Sequence, residues 1–265
     1  MKTWTISNQK GGVGKTTTVV SLAGILSTQG KKVLCIDMDS QGSLTSYFRL
    51  DPDSITNSIY NLFKDSSQNI ALVPSKYIQK TSFDGLDLLP ASTALATLDR
   101  QGSQFKGLGL VLSNVLKKLE SSYDVVLIDS PPMLGILMIN ALAACDHLIV
   151  PVQTEFLAIK GLERMMKTLS MIQKSRHTSL EYTIVPTMFD KRTRASISSL
   201  NSLNNKYASN LWNSYIPVDT QLREASRLGV PAPILSPKSR SVEAYQKLLQ
   251  TLQSKKPNLR LVTHN

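Results

Sequence analysis

The stretch NQKGGVGKTTT at residues 8–18 constrains this chain more than any other. It follows a β-rich run, KTWTIS at 2–7, and opens a helical pattern over 15–29. A glycine-rich turn between a strand and a helix suits phosphate, because glycines let the backbone approach the anion and the helix N-terminus presents its positive dipole end. The usual spacing G-x-x-x-x-G-K-[ST] requires glycine at position 9, where this chain has Gln9. Gly14, Lys15 and Thr16 hold their ordinary places, and a second lysine, Lys10, stands directly before Gly11 and Gly12. One lysine is enough for phosphate, so the second needs its own explanation.

The rest of the chain repeats the rhythm of strand and helix. Short β-rich runs occur at 32–37, 70–73, 86–89, 123–129, 147–152, 182–187 and 214–217, with three-to-four-residue apolar periodicity at 107–121, 155–173, 194–211, 219–228 and 240–253. Continuous apolar strands alternating with helices predict an α/β fold, a mostly parallel twisted sheet with helices on both faces. No internal repeat or linker divides the chain, so one domain is expected over 1–254, followed by a flexible basic tail at 255–265.

With 265 residues and 42% hydrophobic content the chain can fill a substantial core. No apolar run approaches the roughly 18 residues that cross a bilayer, and the N-terminus lacks the apolar stretch of a signal peptide, which predicts a cytoplasmic protein. Cys35 and Cys145 are too far apart in sequence for a metal-ligand motif and read as core thiols. The net charge of +11 is uneven: residues 1–150 carry 13 Lys and Arg against 12 Asp and Glu, residues 151–265 carry 17 against 7. Such clustering fits a polyanionic partner, and equally a solvated face.

Three segments supply the chemistry of nucleotide hydrolysis. Glycines 11, 12 and 14 with Val13 would wrap the phosphates, Lys15 would meet the β and γ phosphates, and Thr16 would give its hydroxyl to Mg²⁺, with Thr17 next on the helix. VVLIDSPP ends in Asp129, suited to hold the Mg²⁺ shell from the end of a buried strand. CIDMDSQG places Asp37 and Asp39 at a neighbouring strand end, where period-two geometry sends both to one side. Asp37 can then support the Mg²⁺ shell and Asp39 orient an attacking water.

KGGVGKTTT, CIDMDSQGS and LIDSPP together resemble the deviant Walker A ATPases of the ParA/MinD superfamily, and the likeness runs to RSVEAYQKLL. The resemblance implies ATP and Mg²⁺ as cofactors and an ATP-dependent homodimer in which Lys10 reaches the nucleotide of the other subunit. A cation supplied in trans neutralises transition-state charge as an arginine finger does. LLPASTALATLDRQ, GILMINALAACDHLIVPVQTEFLAIKGLERM and YTIVPTMFDKRTRAS are similar to the ParC branch, ParA-like proteins that place chemotaxis arrays at the cell pole. That likeness implies a cargo adaptor and a polar anchor protein as partners, and a nucleoid-associated or polar location; plasmid or chromosome partition is the alternative. A biosynthetic P-loop enzyme of the dethiobiotin synthetase type is the alternative of another class.

IPVDTQLREASRLGVPAP is similar to the family segment that closes over adenine, which implies base contacts from Met188, Pro217, Val218 and Asp219. Many small ParA proteins have arginine where this chain has Gln221. Arg223 and Arg227, spaced i and i+4, with Lys238 and Arg240 beyond a proline-rich loop, form a candidate patch for the phosphates of double-stranded DNA, joined by Arg192, Arg194 and Lys206. Glu224 offers the alternative of a salt-bridged helix face. The tail after Lys255 is too short and too polar for stable membrane insertion.

Overall fold

Seven strands form one sheet in the order β3-β4-β2-β5-β1-β6-β7. A computed structural model describes residues 1–101, 108–175 and 179–254. The strands are β1 (Lys2–Ile6), β2 (Val33–Asp37), β3 (Gln79–Lys80), β4 (Leu86–Leu89), β5 (Val125–Asp129), β6 (His147–Gln153) and β7 (Glu181–Thr187). All neighbours run parallel except the short edge strand β3, which pairs antiparallel with β4. Strands β2 and β5 are buried along their whole length, as the continuous runs VLCID and VVLID require of a sheet covered on both faces.

The helices are α1 (Lys15–Thr28), α2 (Ser43–Tyr47), α3 (Ile59–Ser67), α4 (Leu95–Gln101), α5 (Val111–Lys118), α6 (Ile136–Ala143), α7 (Phe156–Ser175), α8 (Arg194–Tyr207), α9 (Thr220–Leu228), α10 (Ala232–Leu235) and α11 (Arg240–Ser254). On one face α1 and α11 pack with Trp4, Ile6, Leu127 and Ile149 of the sheet. On the other, α3 to α6 cover Leu34, Ile36, Val126 and Ile128. A third cluster lies under α7 and joins Leu148, Val150 and Ile184. The predicted single α/β domain is the one observed.

Two expected strands are not strands. Residues 70–73 have no sheet neighbour, and Ile70 and Val73 are exposed, so Pro74 ends an irregular segment; the edge strand comes later, at Gln79–Lys80. Residues 214–217 contribute only an isolated bridge, Phe189 to Pro217. The helix expected to run to residue 211 ends at Tyr207, where the chain turns back to pair Leu211 with Ile184. Helices α2, α3, α4, α6 and α10 have no counterpart among the periodic stretches of the sequence; α6, ILMINALA, is apolar on almost every side and so lacks the one-sided periodicity that betrays a helix. The expected tail at 255–265, and residue 107 of the expected helix 107–121, lie outside the described residues.

A candidate nucleotide site at the carboxyl edge of the sheet

The sheet order itself brings the chemistry together. Strand β5 lies between β1 and β2, and its register sets Asp129 opposite Ile6 on one side and Asp37 on the other. The loop that leaves β1 therefore rises beside two adjacent carboxylates at the carboxyl edge, where parallel sheets place their ligands.

The loop is tied down before it turns. Asn8 donates to the carbonyl of Pro151 at 2.8 Å, and its side-chain oxygen accepts from the Lys10 amide at 3.0 Å. Thr187 donates to the carbonyl of Val13 at 2.9 Å from the end of β7. Gly12 and Gly14 adopt φ values of 74° and 92°, a left-handed backbone that L side chains rarely take, and α1 starts immediately after. Gly11 differs: its φ is not positive, and a Cβ built there meets nothing within 4 Å. Nothing inside the subunit requires glycine at that position.

Thr16 donates its hydroxyl to Asp129 Oδ2 at 2.5 Å, while Asp129 Oδ1 is one of two buried side-chain oxygens without a partner among the described residues. Burial, then the charge of Asp37, pushes the Asp129 carboxyl well above the usual range, against the pull of Thr16 and Lys15. A buried carboxylate with an orphaned oxygen beside a hydroxyl fits a Mg²⁺ ion, which takes few protein ligands and keeps several waters. Asp37 is placed differently from the expected Mg²⁺ support. Its Oδ1 accepts from the Asp39 amide, and its Oδ2 accepts from both the amide and the hydroxyl of Thr45, at 2.8 and 2.7 Å. These bonds anchor the β2–α2 loop. Burial raises the Asp37 carboxyl too. Asp39, just beyond the strand, is half-buried, and its charge pushes up Asp37, Asp129 and Asp99, so it faces the same space.

Lys10 leaves the site. Its stem packs over Gly161 on α7, where a Cβ would come within 3.2 Å of Lys10 Cβ, and its ammonium pairs with Glu155. Met133, Leu134 and Leu157 line a hollow with it, and Phe156 follows Glu155 in the chain, each exposed between 48% and 73%. Nothing in the sequence singled out Glu155, Asn8 or Thr187, because each has a partner more than 140 residues away.

On the far side of Gly14 and Thr17, Met188, Pro217, Val218 and Asp219 line a cavity of about 470 Å³. Met188 itself has φ 53°, a backbone strain of the kind concentrated at ligand sites. The basic candidates divide. Arg223 lines this cavity, whereas Arg227 pairs with Glu224 at 2.6 Å, Arg192 with Asp190 at 2.7 Å and Lys206 with Glu163 at 2.8 Å. The guanidinium of Arg192 holds Asp190 down at about 2. Arg194, Lys238 and Arg240 are exposed or partly so. A second hollow of about 470 Å³, across the Pro217–Val218 wall, gathers Lys191, Arg192, Arg240 and Lys247 beside Tyr215, whose ring stacks on Phe189 at 4.1 Å. Cys35 and Cys145 are buried, and burial pushes the Cys35 thiol far up, so it serves packing rather than redox chemistry.

Comparison with known proteins agrees with this geometry. Residues 1–182 match the family model described as an AAA domain. The chain is 34% identical over 241 residues to the sporulation initiation inhibitor protein Soj of Bacillus subtilis, covering 91% of this chain and 93% of that one. It is 33% identical over 254 residues to the chromosome partitioning protein ParA of Myxococcus xanthus, covering 94% and 87%. Among solved structures, cobyrinic acid a,c-diamide synthase from Mycobacterium smegmatis, with a bound ATP analogue and magnesium, superposes with a TM-score of 0.82 at 33% identity over the whole of both chains. A deviant phosphate loop, a buried aspartate joined to its threonine, and relatives of this identity along nearly the whole chain establish that it belongs to the ParA/MinD superfamily of P-loop ATPases.

Proposed function

We propose that this protein is an ATP-operated partition switch, a subunit that pairs with a second copy over ATP and then holds double-stranded DNA without reading its sequence. The observation that carries this reading is the outward face around Lys10. A lysine parked on Glu155, a glycine at 11 with open space where a side chain would stand, and four exposed apolar side chains form a surface suited to a second copy. Lys15 stays in its own subunit and meets the phosphates. Lys10 leaves Glu155 and supplies its charge across the interface, which makes the dimer depend on nucleotide.

Within the subunit, Asp129 and the Thr16 hydroxyl would hold Mg²⁺, which supplies charge stabilisation for the transferring phosphate. Asp39 takes the water-orienting role and Asp37 fixes the loop that carries it. Met188, Pro217, Val218 and Asp219 receive the base. The DNA surface centres on the hollow with Lys191, Arg240 and Lys247, since Arg192, Lys206 and Arg227 are already paired with carboxylates. Arg194 and Lys238 extend it.

The likeness of three sequence segments to the ParC branch implies polar chemotaxis arrays and their adaptor; the Myxococcus xanthus relative is a chromosome partitioning protein, and DNA is the cargo we take. The likeness to the diamide synthase keeps a biosynthetic ATPase as the second reading. Retention on immobilised DNA with and without ATP, measured beside light scattering, separates them. The switch elutes as a dimer with ATP and is retained only then. Absence of retention in both states, with ATP bound, would instead favour the biosynthetic enzyme.

A further inference from the structure

The cavity beyond Gly14 and Thr17 contains two charged side chains, Asp219 and Arg223. Asp219 is committed. Its Oδ1 accepts from the Gln221 amide at 3.0 Å, capping α9, and its Oδ2 accepts from the Ser241 amide at 3.1 Å, which joins α9 to the start of α11. Arg223 lies within reach of solvent, and among the described residues no carboxylate makes an ion pair with it. Four positions later on the same helix, Arg227 has Glu224. Two arginines that the sequence presents as one patch thus have different surroundings.

Arg227 lies one turn further along the helix, beyond the lining of the cavity. Residues 219, 222, 223 and 226 recur at three and four positions, and all four line the cavity, so this face of α9 is its wall. The start of α1 at Gly14 and Thr17 lines the same cavity, and a helix N-terminus leaves backbone N–H groups without intrahelical partners and carries the positive end of the helix dipole. A guanidinium that shares a cavity with a helix N-terminus adds positive charge to it, which an anion bound between them would offset. The cavity is continuous with the phosphate loop through Gly14, and its other lining at Met188, Pro217 and Val218 suits an aromatic base.

We infer that Arg223 is a nucleotide-binding residue, its guanidinium directed at the phosphate nearest the ribose, and not a member of the DNA patch. This inference rests on the ATPase reading. The contact is common to ATP and ADP, because it lies away from the transferred phosphate. Arg223 therefore sets how long either nucleotide stays bound and leaves hydrolysis at saturation to Lys15, Asp39 and Lys10.

The test is calorimetric titration of the full chain with ADP and with a non-hydrolysable ATP analogue, comparing the parent with Arg223→Ala and Arg223→Lys. Arg223→Ala should weaken both nucleotides by about tenfold, the loss of one charge-assisted hydrogen bond, and Arg223→Lys should recover part of it. The thermal midpoint without nucleotide should stay at the parent value, since the side chain has no ion-pair partner in the free subunit, while the upward shift caused by ADP shrinks. DNA retention at saturating nucleotide should be unchanged. Unchanged affinity for both nucleotides overturns the inference, as does a loss confined to the ATP analogue. Loss of DNA retention at saturating nucleotide also overturns it and returns Arg223 to the DNA surface. Failure of the parent to bind either nucleotide strikes instead at the ATPase reading.

Discussion

On the sheet side of the phosphate loop, Asp37 and Asp129 are buried at adjacent strand ends, and all but one of their oxygens accept a hydrogen bond from within the subunit. On the outer side, Lys10 is part-exposed, its one side-chain bond goes to a carboxylate that is itself 40% exposed, and the surrounding side chains are apolar and open to water. The first region is built as an interior, with Asp129 Oδ1 and Ser7 Oγ as its unsatisfied oxygens among the described residues. The second resembles half of an interface. On the proposed reading, binding nucleotide and responding to it are carried by separate surfaces, a few residues apart on one loop, and substitutions should separate them.

The largest effect is expected on the inner side. Lys15→Ala should lower ATP affinity on the order of a hundredfold or more, because a nearly buried ammonium no longer meets the phosphates. Lys10→Ala should keep ATP binding in calorimetry and lose the ATP-dependent dimer in light scattering. Gly11→Val should do the same while folding normally, since its Cβ meets open space in the single subunit. Equal loss of nucleotide by the Lys10 and Lys15 variants would erase the division between the two surfaces.

Next in size is Asp39→Ala. Removing the water-orienting carboxylate should lower steady-state turnover by about a hundredfold with dimerisation retained. Phosphate release measured at saturating ATP checks it, and parent-like turnover would move the role away from Asp39.

How far the sequence discloses this arrangement follows the distance over which each interaction acts. The turn of the phosphate loop and the strand-end position of Asp129 are legible because each is set by a few residues beside an apolar strand, whereas the meeting of Thr16 with Asp129, 113 residues apart, follows from the strand order. The parallel sheet is legible for the same reason, since VLCID and VVLID are too apolar to face water. Asp37 shows the limit of the period-two argument: the strand ends at Asp37, and the turn that follows draws Thr45 onto its carboxylate. The Lys10–Glu155 pair is illegible, because 145 residues separate its partners. Arg223 and Arg227 share a helical stripe, yet what each one faces depends on elements remote in sequence.

A smaller effect belongs to the basic hollow. Replacing Lys191, Arg240 and Lys247 together by glutamate should weaken ATP-dependent DNA binding roughly ten- to hundredfold, and reduce the magnitude of the salt slope by about 0.9 for each phosphate no longer neutralised. ATP-driven dimerisation should be unchanged. Fluorescence anisotropy with random-sequence duplexes over a salt series reads both quantities. An unaltered salt slope would place the DNA surface elsewhere, with Arg194 and Lys238 next to be changed.

The smallest effect tests the outer surface most directly. On the proposed reading Lys10 leaves Glu155 for the partner's nucleotide, so the ion pair would oppose dimerisation by whatever it contributes alone. Exposed pairs contribute little, between about 0.2 and 1 kcal/mol. Glu155→Gln keeps the shape and the hydrogen-bonding oxygen while removing the charge, so Lys10 should leave more readily. The midpoint protein concentration for ATP-dependent dimerisation should then fall by about two- to fivefold, with the affinity of the monomer for ADP unchanged. High salt should shrink the difference between parent and variant, because screening already weakens the pair. A midpoint that rises instead would mean that Glu155 positions Lys10 for the partner and does not restrain it, and the outer surface would then be preformed for dimerisation in the same sense as the inner one is for nucleotide.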